Sequence, residues 1–155
     1  MPALAIFGAG PALGRSTALR FAHEGYELAL VGRTASTLEN LAAELRARGS
    51  TVSTYEADLA DPAQAVLALS HITVAVGLPD AVLWSPGDVH RRLVDADRLD
   101  AATLLEWLPL QLLSPLEVAH VVVPQMAVRG NGAFIVTQSI GAVEPVPELA
   151  STAVP

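Results

Sequence analysis

Short apolar runs alternate with longer stretches of helical periodicity along this chain. The apolar runs have the length of strands, are bounded by Gly, Pro, Asp or Asn, and occupy residues 3–7, 27–31, 52–55, 81–84 and 133–137. The helical stretches cover residues 13–23, 36–48, a segment that begins at residue 61, and residues 100–128. Strands that alternate with helices form right-handed crossovers, so the pattern predicts an α/β fold with a parallel sheet and helices on both faces.

Residues at the helix ends support this assignment. Gly25 and Gly49 follow the first two helices, and glycine commonly ends a helix. Asp61 before Pro62 predicts an N-cap followed by the first helical residue. Three prolines predict that the last helix is broken or kinked: Pro109, Pro115 and Pro124.

The composition narrows the class of protein. The chain has 155 residues, of which 52% are hydrophobic, a richness typical of a sheet buried on both faces. We therefore expect one domain over residues 1–155. The absence of cysteine excludes disulfides and thiolate metal sites. A formal net charge of −7 argues against a nucleic-acid-binding surface.

Two observations bear on location. The most apolar stretch, residues 104–123, is interrupted by charged residues and prolines, so we expect no membrane-spanning helix. The first residues, Met1-Pro2-Ala3, lack the basic segment of a secretory signal. A cytoplasmic protein is the resulting expectation.

The segment between the first strand and the first helix carries the strongest functional signal. Gly8, Gly10 and Gly14 lie in a turn that opens the helix at Leu13. Backbone N–H groups at a helix N-terminus attract an anion, and glycines let a pyrophosphate approach the backbone. The alternative is an ordinary turn without a ligand. The placement between strand and helix favours a dinucleotide site.

The end of the second strand indicates which dinucleotide. Gly32 stands where an acid would bind the ribose 2′-hydroxyl of NAD, and Arg33 follows with a guanidinium that suits a 2′-phosphate. We therefore predict NADP(H) in preference to NAD(H). Arg15 either adds positive potential near the phosphates or forms a salt bridge with Glu24 or Glu39.

These residues resemble the short-chain dehydrogenase/reductase superfamily over essentially the whole chain. The family's GxxxGxG turn is matched by Gly8, Ala12 and Gly14, and its Asp-apolar pair near the adenine by Asp58 and Leu59. Of its Asn-Asn-Ala-Gly segment after the fourth strand, only Gly87 is kept. The resemblance implies a Rossmann-type doubly wound sheet, an oxidoreductase acting on a carbonyl or alcohol, and a homodimer or homotetramer.

The same resemblance assigns catalytic positions. The family uses Asn, Ser, Tyr and Lys, in which the tyrosine protonates the carbonyl oxygen, the lysine lowers its pKa and the serine polarises the substrate. Counted along this chain, the asparagine position falls on Gln111, the serine on Ser139 and the tyrosine on Thr152. The lysine would be residue 156. Thr152 is a far weaker acid than a tyrosine, so the family's proton donor is not encoded there.

Two explanations compete for this departure. The chain is either a shortened family member that lacks the C-terminal strands, or one whose active site has diverged. The corresponding functions are an NADP(H)-dependent oxidoreductase and a catalytically inactive NADP(H)-binding sensor or structural subunit.

Other conspicuous residues carry less weight. The histidines show no metal-ligand spacing, which predicts no metal site, although His90 follows Gly87 in a loop that could border a substrate. Trp84 is expected to pack rather than stack on a ligand, and Trp107 to lie in the helix core or at an interface.

Overall fold

The computed structural model describes residues 1–87, 94–138 and 144. Five strands are present in the described chain: β1 (Ala3–Phe7), β2 (Glu27–Gly32), β3 (Val52–Glu56), β4 (Ala81–Trp84) and β5 (Ala133–Val136). Five α-helices accompany them: α1 (Leu13–His23), α2 (Ala35–Arg46), α3 (Pro62–Val76), α4 (Ala101–Leu108) and α5 (Ser114–Arg129). A 3-10 helix covers Ala96–Arg98, and a π-helical turn, here called the π turn, covers Pro109–Leu113.

The strands form one parallel sheet in the order β3-β2-β1-β4-β5. In its register Ala5 of β1 lies opposite Ala29 of β2 and Val82 of β4. The chain runs outward from β1 to β3 and then crosses back to β4 on the other side of β1. This reversal leaves a crevice at the carboxyl ends of β1 and β4, where open α/β sheets bind their ligands.

Alternate strand residues fill two separate cores, as a side-chain period of two requires. Leu4 and Ile6 face one side of the sheet, where α1 and α2 pack. Ala5 and Phe7 face the other side, against α3, α5 and the π turn. Phe7 stacks on Trp84 with ring centroids 5.4 Å apart. The prediction of a parallel sheet covered on both faces is confirmed.

Helix starts follow local chemistry. The Asp61 side chain accepts hydrogen bonds from the N–H groups of Ala63 and Gln64 at the start of α3, so the predicted cap is confirmed. Bonds from the Gln64 side chain and the Ala63 backbone lower the pKa of Asp61. Asp100 caps α4 in the same way through the N–H of Thr103, at 2.8 Å.

The last helical stretch departs from prediction at one proline. It is divided by the π turn, but Pro124 lies inside α5 without ending it. Pro124 has no N–H to donate to the carbonyl of His120, four residues earlier. Both residues lie on the exposed side of the helix. Water can therefore satisfy that carbonyl. Across the described ranges, no helix combines the length and apolarity needed to span a membrane.

Candidate nucleotide-binding cleft

The glycine-rich turn is folded back against the end of β2. The N–H groups of Gly8 and Ala9 both donate to the carbonyl oxygen of Val31, at 2.9 and 3.0 Å. Gly8 has φ +94°, and a Cβ added there would lie 2.6 Å from the carbonyl carbon of Ser85. Because that φ and that distance both exclude a side chain, only glycine fits.

Gly14 has a different role in the same turn. A Cβ at Gly14 would lie 2.9 Å from Cα of Ala9 and 3.0 Å from the carbonyl oxygen of Gly8. Its missing side chain lets α1 pack directly onto the turn. At the N-cap of α1, Ala12 forms no side-chain capping bond, and the first turn contains no acid. The N–H of Arg15 donates to the carbonyl oxygen of Gly10, and the N–H groups of Leu13 and Gly14 remain suited to an anion.

A cleft of about 170 Å³ lies above this turn, at the carboxyl ends of the strands. It is bounded by the glycine-rich turn, the end of β2 with the start of α2, the segment after β3, the segment after β4, and the π turn. The lining residues are Gly8, Ala9, Gly10, Gly32, Arg33, Thr34, Thr37, Leu38, Asp58, Leu59, Ala60, Pro86, Gly87 and Leu110.

Six predicted cofactor residues line this cleft: Gly8, Gly10, Arg33, Asp58, Leu59 and Gly87. Four others lie outside its lining: Ala12, Leu13, Gly14 and Arg15. Leu13 is half exposed, and Gly14 serves helix packing. Their assignment to a cofactor stays a prediction.

Arg15 forms a salt bridge, but with a partner other than those predicted. Its guanidinium donates to both carboxylate oxygens of Glu44 on α2, at 2.8 and 2.6 Å. Glu24 and Glu39, the predicted partners, pair instead with Arg20 and Arg46. The packing of α1 beside α2 places Glu44 opposite the first turn of α1.

The Arg15–Glu44 pair shifts the pKa of both groups. Its hydrogen bonds lower the pKa of Glu44 and raise that of Arg15. Arg48 also contacts Glu44, at 3.1 Å. The pair therefore links α1 to α2 beside the cleft.

Arg33 and the N-terminus of α2 border the cleft together. Gly32, Arg33, Thr34 and Thr37 line it together. Thr34 is the N-cap of α2 but forms no side-chain capping bond, and the first turn of α2 contains no acid. Arg33 and the N-terminus of a 12-residue helix thus both border the cleft.

The segment after β3 forms another wall. The Asp58 carboxylate accepts a bond from the N–H of Ala60, and the Asp58 N–H donates to the Gln64 side chain, at 3.0 and 2.9 Å. These bonds hold a tight turn in which Leu59 is buried. The side chains of this wall are therefore fixed by local bonds.

Several residues that line the cleft were not predicted from the sequence. Thr37 and Leu38 lie in the first turn of α2, where their spacing from Arg33 could have indicated them. Leu110 lies far along the chain, and no local signal indicates it. The π turn brings Leu110 to the cleft.

The predicted catalytic residues are only partly described. Gln111 is half-buried within the π turn. Ser139 and Thr152 lie outside the described residues, as does His90. Near the π turn, the hydroxyl oxygens of Ser85 and Ser114 are buried without a hydrogen-bond partner in the described part of the chain.

The parallel sheet, its strand order and the glycine-rich cleft at the point where that order reverses together define a Rossmann-type nucleotide-binding fold. The short chain dehydrogenase family matches residues 3–151. The chain belongs to this family of oxidoreductases.

One relative agrees with this assignment, and two solved structures share the fold. A very-long-chain 3-oxoacyl-CoA reductase of Pyricularia oryzae is 30% identical over 153 residues, which cover 94% of this chain and 45% of that protein. L-sorbose reductase from Gluconobacter frateurii, solved with NADPH and L-sorbose, has a TM-score of 0.86 at 24% identity and matches 98% of this chain and 58% of its own. An NAD⁺-bound xylitol dehydrogenase has a TM-score of 0.87 at 22% identity, with 97% and 58% covered. The chain thus spans about half the length of these relatives.

Proposed function

We propose that this chain binds NADP(H) in preference to NAD(H) and acts as an oxidoreductase on a carbonyl or alcohol substrate. Structures of similar fold contain NADPH in one case and NAD⁺ in another. The fold alone therefore does not select the cofactor. The observation that carries the preference is the chemistry at the end of β2.

A 2′-phosphate and a 2′-hydroxyl require opposite charges at this place. Gly32 supplies no carboxylate for a hydroxyl, and it lines the cleft next to Arg33. Arg33 offers a fork of N–H donors that matches phosphate oxygens. The N-terminus of α2 contributes partial positive charge, and no acid in its first turn opposes an anion. A phosphate is therefore favoured there.

The cofactor preference is tested with Arg33→Glu. NADPH affinity is expected to fall about 10- to 100-fold because a charge-assisted contact is replaced by repulsion. NADH affinity should change little. Isothermal titration with both cofactors measures the two effects, and equal losses would refute the assignment.

Arg48→Glu is the matched control. It changes the net charge by the same amount, but Arg48 lies just beyond the C-terminal end of α2 and outside the lining of the cleft. NADPH affinity should stay close to that of the unmodified protein. A loss as large as that of Arg33→Glu would identify a general charge effect.

The proposed chemistry uses Ser139 and Gln111 at the substrate carbonyl, with Thr152 at the position of the family's proton donor. Hydride transfer to a carbonyl develops an alkoxide that needs hydrogen-bond donors. Loss of NADPH absorbance against a panel of ketones and aldehydes tests activity. Ser139→Ala should lower turnover about 100-fold without changing NADPH affinity.

A second candidate is an inactive NADP(H)-binding sensor or structural subunit. It is favoured by Thr152, which cannot replace a phenol as an acid at neutral pH. Tight NADPH binding without turnover on any substrate of the panel would support this function and exclude the enzyme.

We also propose that the chain forms homodimers or homotetramers. Leu105 of α4 and Leu116 of α5 are 66% and 57% exposed, and Leu112 and Leu113 of the π turn add to the same apolar helical segment. Leu116→Glu should lower the molar mass measured by light scattering. Leu67→Glu on α3, where Leu67 is 55% exposed, is the control that should leave it unchanged.

A further inference from the structure

The π turn contains a carbonyl group that the helix cannot satisfy. Ser114, four residues after Leu110, donates its N–H to the carbonyl of Pro109. The next residue, Pro115, has no N–H to donate. The carbonyl oxygen of Leu110 is therefore left without a donor at either the α-helical or the π-helical spacing.

Trp84 supplies the missing donor from the end of β4. Its indole Nε1–H donates to the carbonyl oxygen of Leu110 at 3.1 Å, in a buried hydrogen bond. Trp84 is 1% exposed, and its ring is held by stacking on Phe7. A buried carbonyl without this donor would be costly. The indole thus attaches the π turn to the sheet.

This bond reaches the cleft through Leu110. Leu110 is 5% exposed and lines the cleft, whereas Trp84 is not among the lining residues. Pro86 and Gly87, two and three residues after Trp84, also line the cleft. The hydrogen bond between β4 and the π turn therefore helps to set the position of Leu110 relative to the segment after β4, together with the packing of Leu110 in the core.

We propose that Trp84 is a positioning residue for cofactor binding, which acts through its N–H group on Leu110 and fixes the π turn that carries Gln111. The inference rests on the proposed function in that the cleft must bind a dinucleotide. Leu110 lies in the π turn, whereas Arg33 follows β2, so the effect is expected to be the same on NADPH and on NADH.

Trp84→Phe tests the role of the N–H because it keeps an aromatic ring for Phe7. NADPH and NADH affinities should both fall about tenfold at a temperature where the variant is folded. Amide exchange across residues 110–114 should become faster. Trp107→Phe, which removes the other buried tryptophan, in α4, is the control and should leave both affinities unchanged.

A second variant separates the hydrogen bond from ring packing. Trp84→Phe/Pro115→Ala provides a backbone N–H five residues after Leu110, so part of the lost affinity and exchange protection should return. Failure to recover either would assign the effect to the indole ring and overturn the role of the N–H.

The outcomes separate this inference from the proposed function. Lower thermal stability of Trp84→Phe with unchanged affinity and unchanged exchange of the π turn would reduce Trp84 to a structural residue and overturn the inference. If the unmodified protein bound neither cofactor, the proposed function would fail and so would the cofactor-positioning role. In that case faster exchange in Trp84→Phe would establish only the attachment of the π turn.

Discussion

The glycine-rich turn and the π turn border the same cleft but are built in opposite ways. The glycine-rich turn is attached to the sheet by backbone groups, since the N–H groups of Gly8 and Ala9 donate to the carbonyl oxygen of Val31 at the end of β2. The π turn depends on a donor 26 residues earlier in the chain, the indole of Trp84. One wall of a cleft can thus be held by backbone groups at positions that spaced glycines reveal in the sequence, and another by a single side-chain donor that no motif reveals.

The two turns also differ in the feature that makes them specific. In the glycine-rich turn it is the absence of side chains, because Gly8 and Gly14 meet backbone atoms closer than a Cβ allows. For the π turn, the specific feature is the missing N–H of Pro115 at the start of α5. The carbonyl of Leu110 must then accept a hydrogen bond from elsewhere. Substitutions should therefore damage the first by collision and the second by changing hydrogen bonds.

The largest effect is expected for Gly8→Ala. The substitution places a Cβ against Ser85 and Pro86 at φ +94°, so the stability should fall by about 3 kcal/mol or more. Chemical denaturation measures this loss. Gly10→Ala is the matched control, because its Cβ would meet only the carbonyl oxygen of Gly8, at 3.9 Å. The control should keep its stability but bind NADPH more weakly, and equal destabilisation of both variants would contradict the assigned roles.

Gly14→Val should have the next largest effect. Its side chain would push α1 away from Ala9, at a cost of about 1–3 kcal/mol, and weaken cofactor binding by moving the helix terminus. Thermal unfolding and NADPH titration measure the two consequences. Unchanged stability and affinity would count against direct packing of α1 on the turn.

A smaller effect is expected for Pro115→Ala, in the first turn of α5 directly after the π turn. The new N–H competes with Trp84 for the Leu110 carbonyl, and loss of proline raises the entropy of the unfolded chain. The net change in stability should stay within about 1 kcal/mol. Denaturation curves measure it. A loss comparable to that of Gly14→Val would mean that the proline ring itself holds the π turn.

The smallest effect is expected at the Arg15–Glu44 pair, which lies at the surface beside the glycine-rich turn. Because the pKa of Glu44 is lowered by folding, its stabilising contribution is present above its ordinary value of 4.5 and is lost as pH falls through the lowered value. Glu44→Gln should therefore weaken the acid dependence of stability slightly. Melting temperatures of both proteins from neutral to acidic pH provide the measurement.

Much of the fold followed from local pattern. Apolar runs with turn residues predicted all five strands, and Asp61 predicted the start of α3, because caps and strand periodicity depend on near neighbours. The cleft contains residues that the sequence predicted for a cofactor where it lies next to a strand end, as at Gly8, Arg33 and Asp58, and their role stays a prediction. Leu110 was missed and Arg15 was given the wrong partners, since both contacts join elements distant in sequence.

The sequence by itself determined the class of fold, the position of the glycine-rich turn and the basic residue after β2, because these depend on strand periodicity and on residue types at short spacing. Only the tertiary structure decided that Arg15 pairs with Glu44 and that Trp84 donates to Leu110. The physical reason is that such groups bond to a partner that tertiary packing places nearby. This holds for a carbonyl without its helical donor and for a charged side chain on the surface of a helix. That choice is made by the arrangement of β4 with the π turn and of α1 with α2.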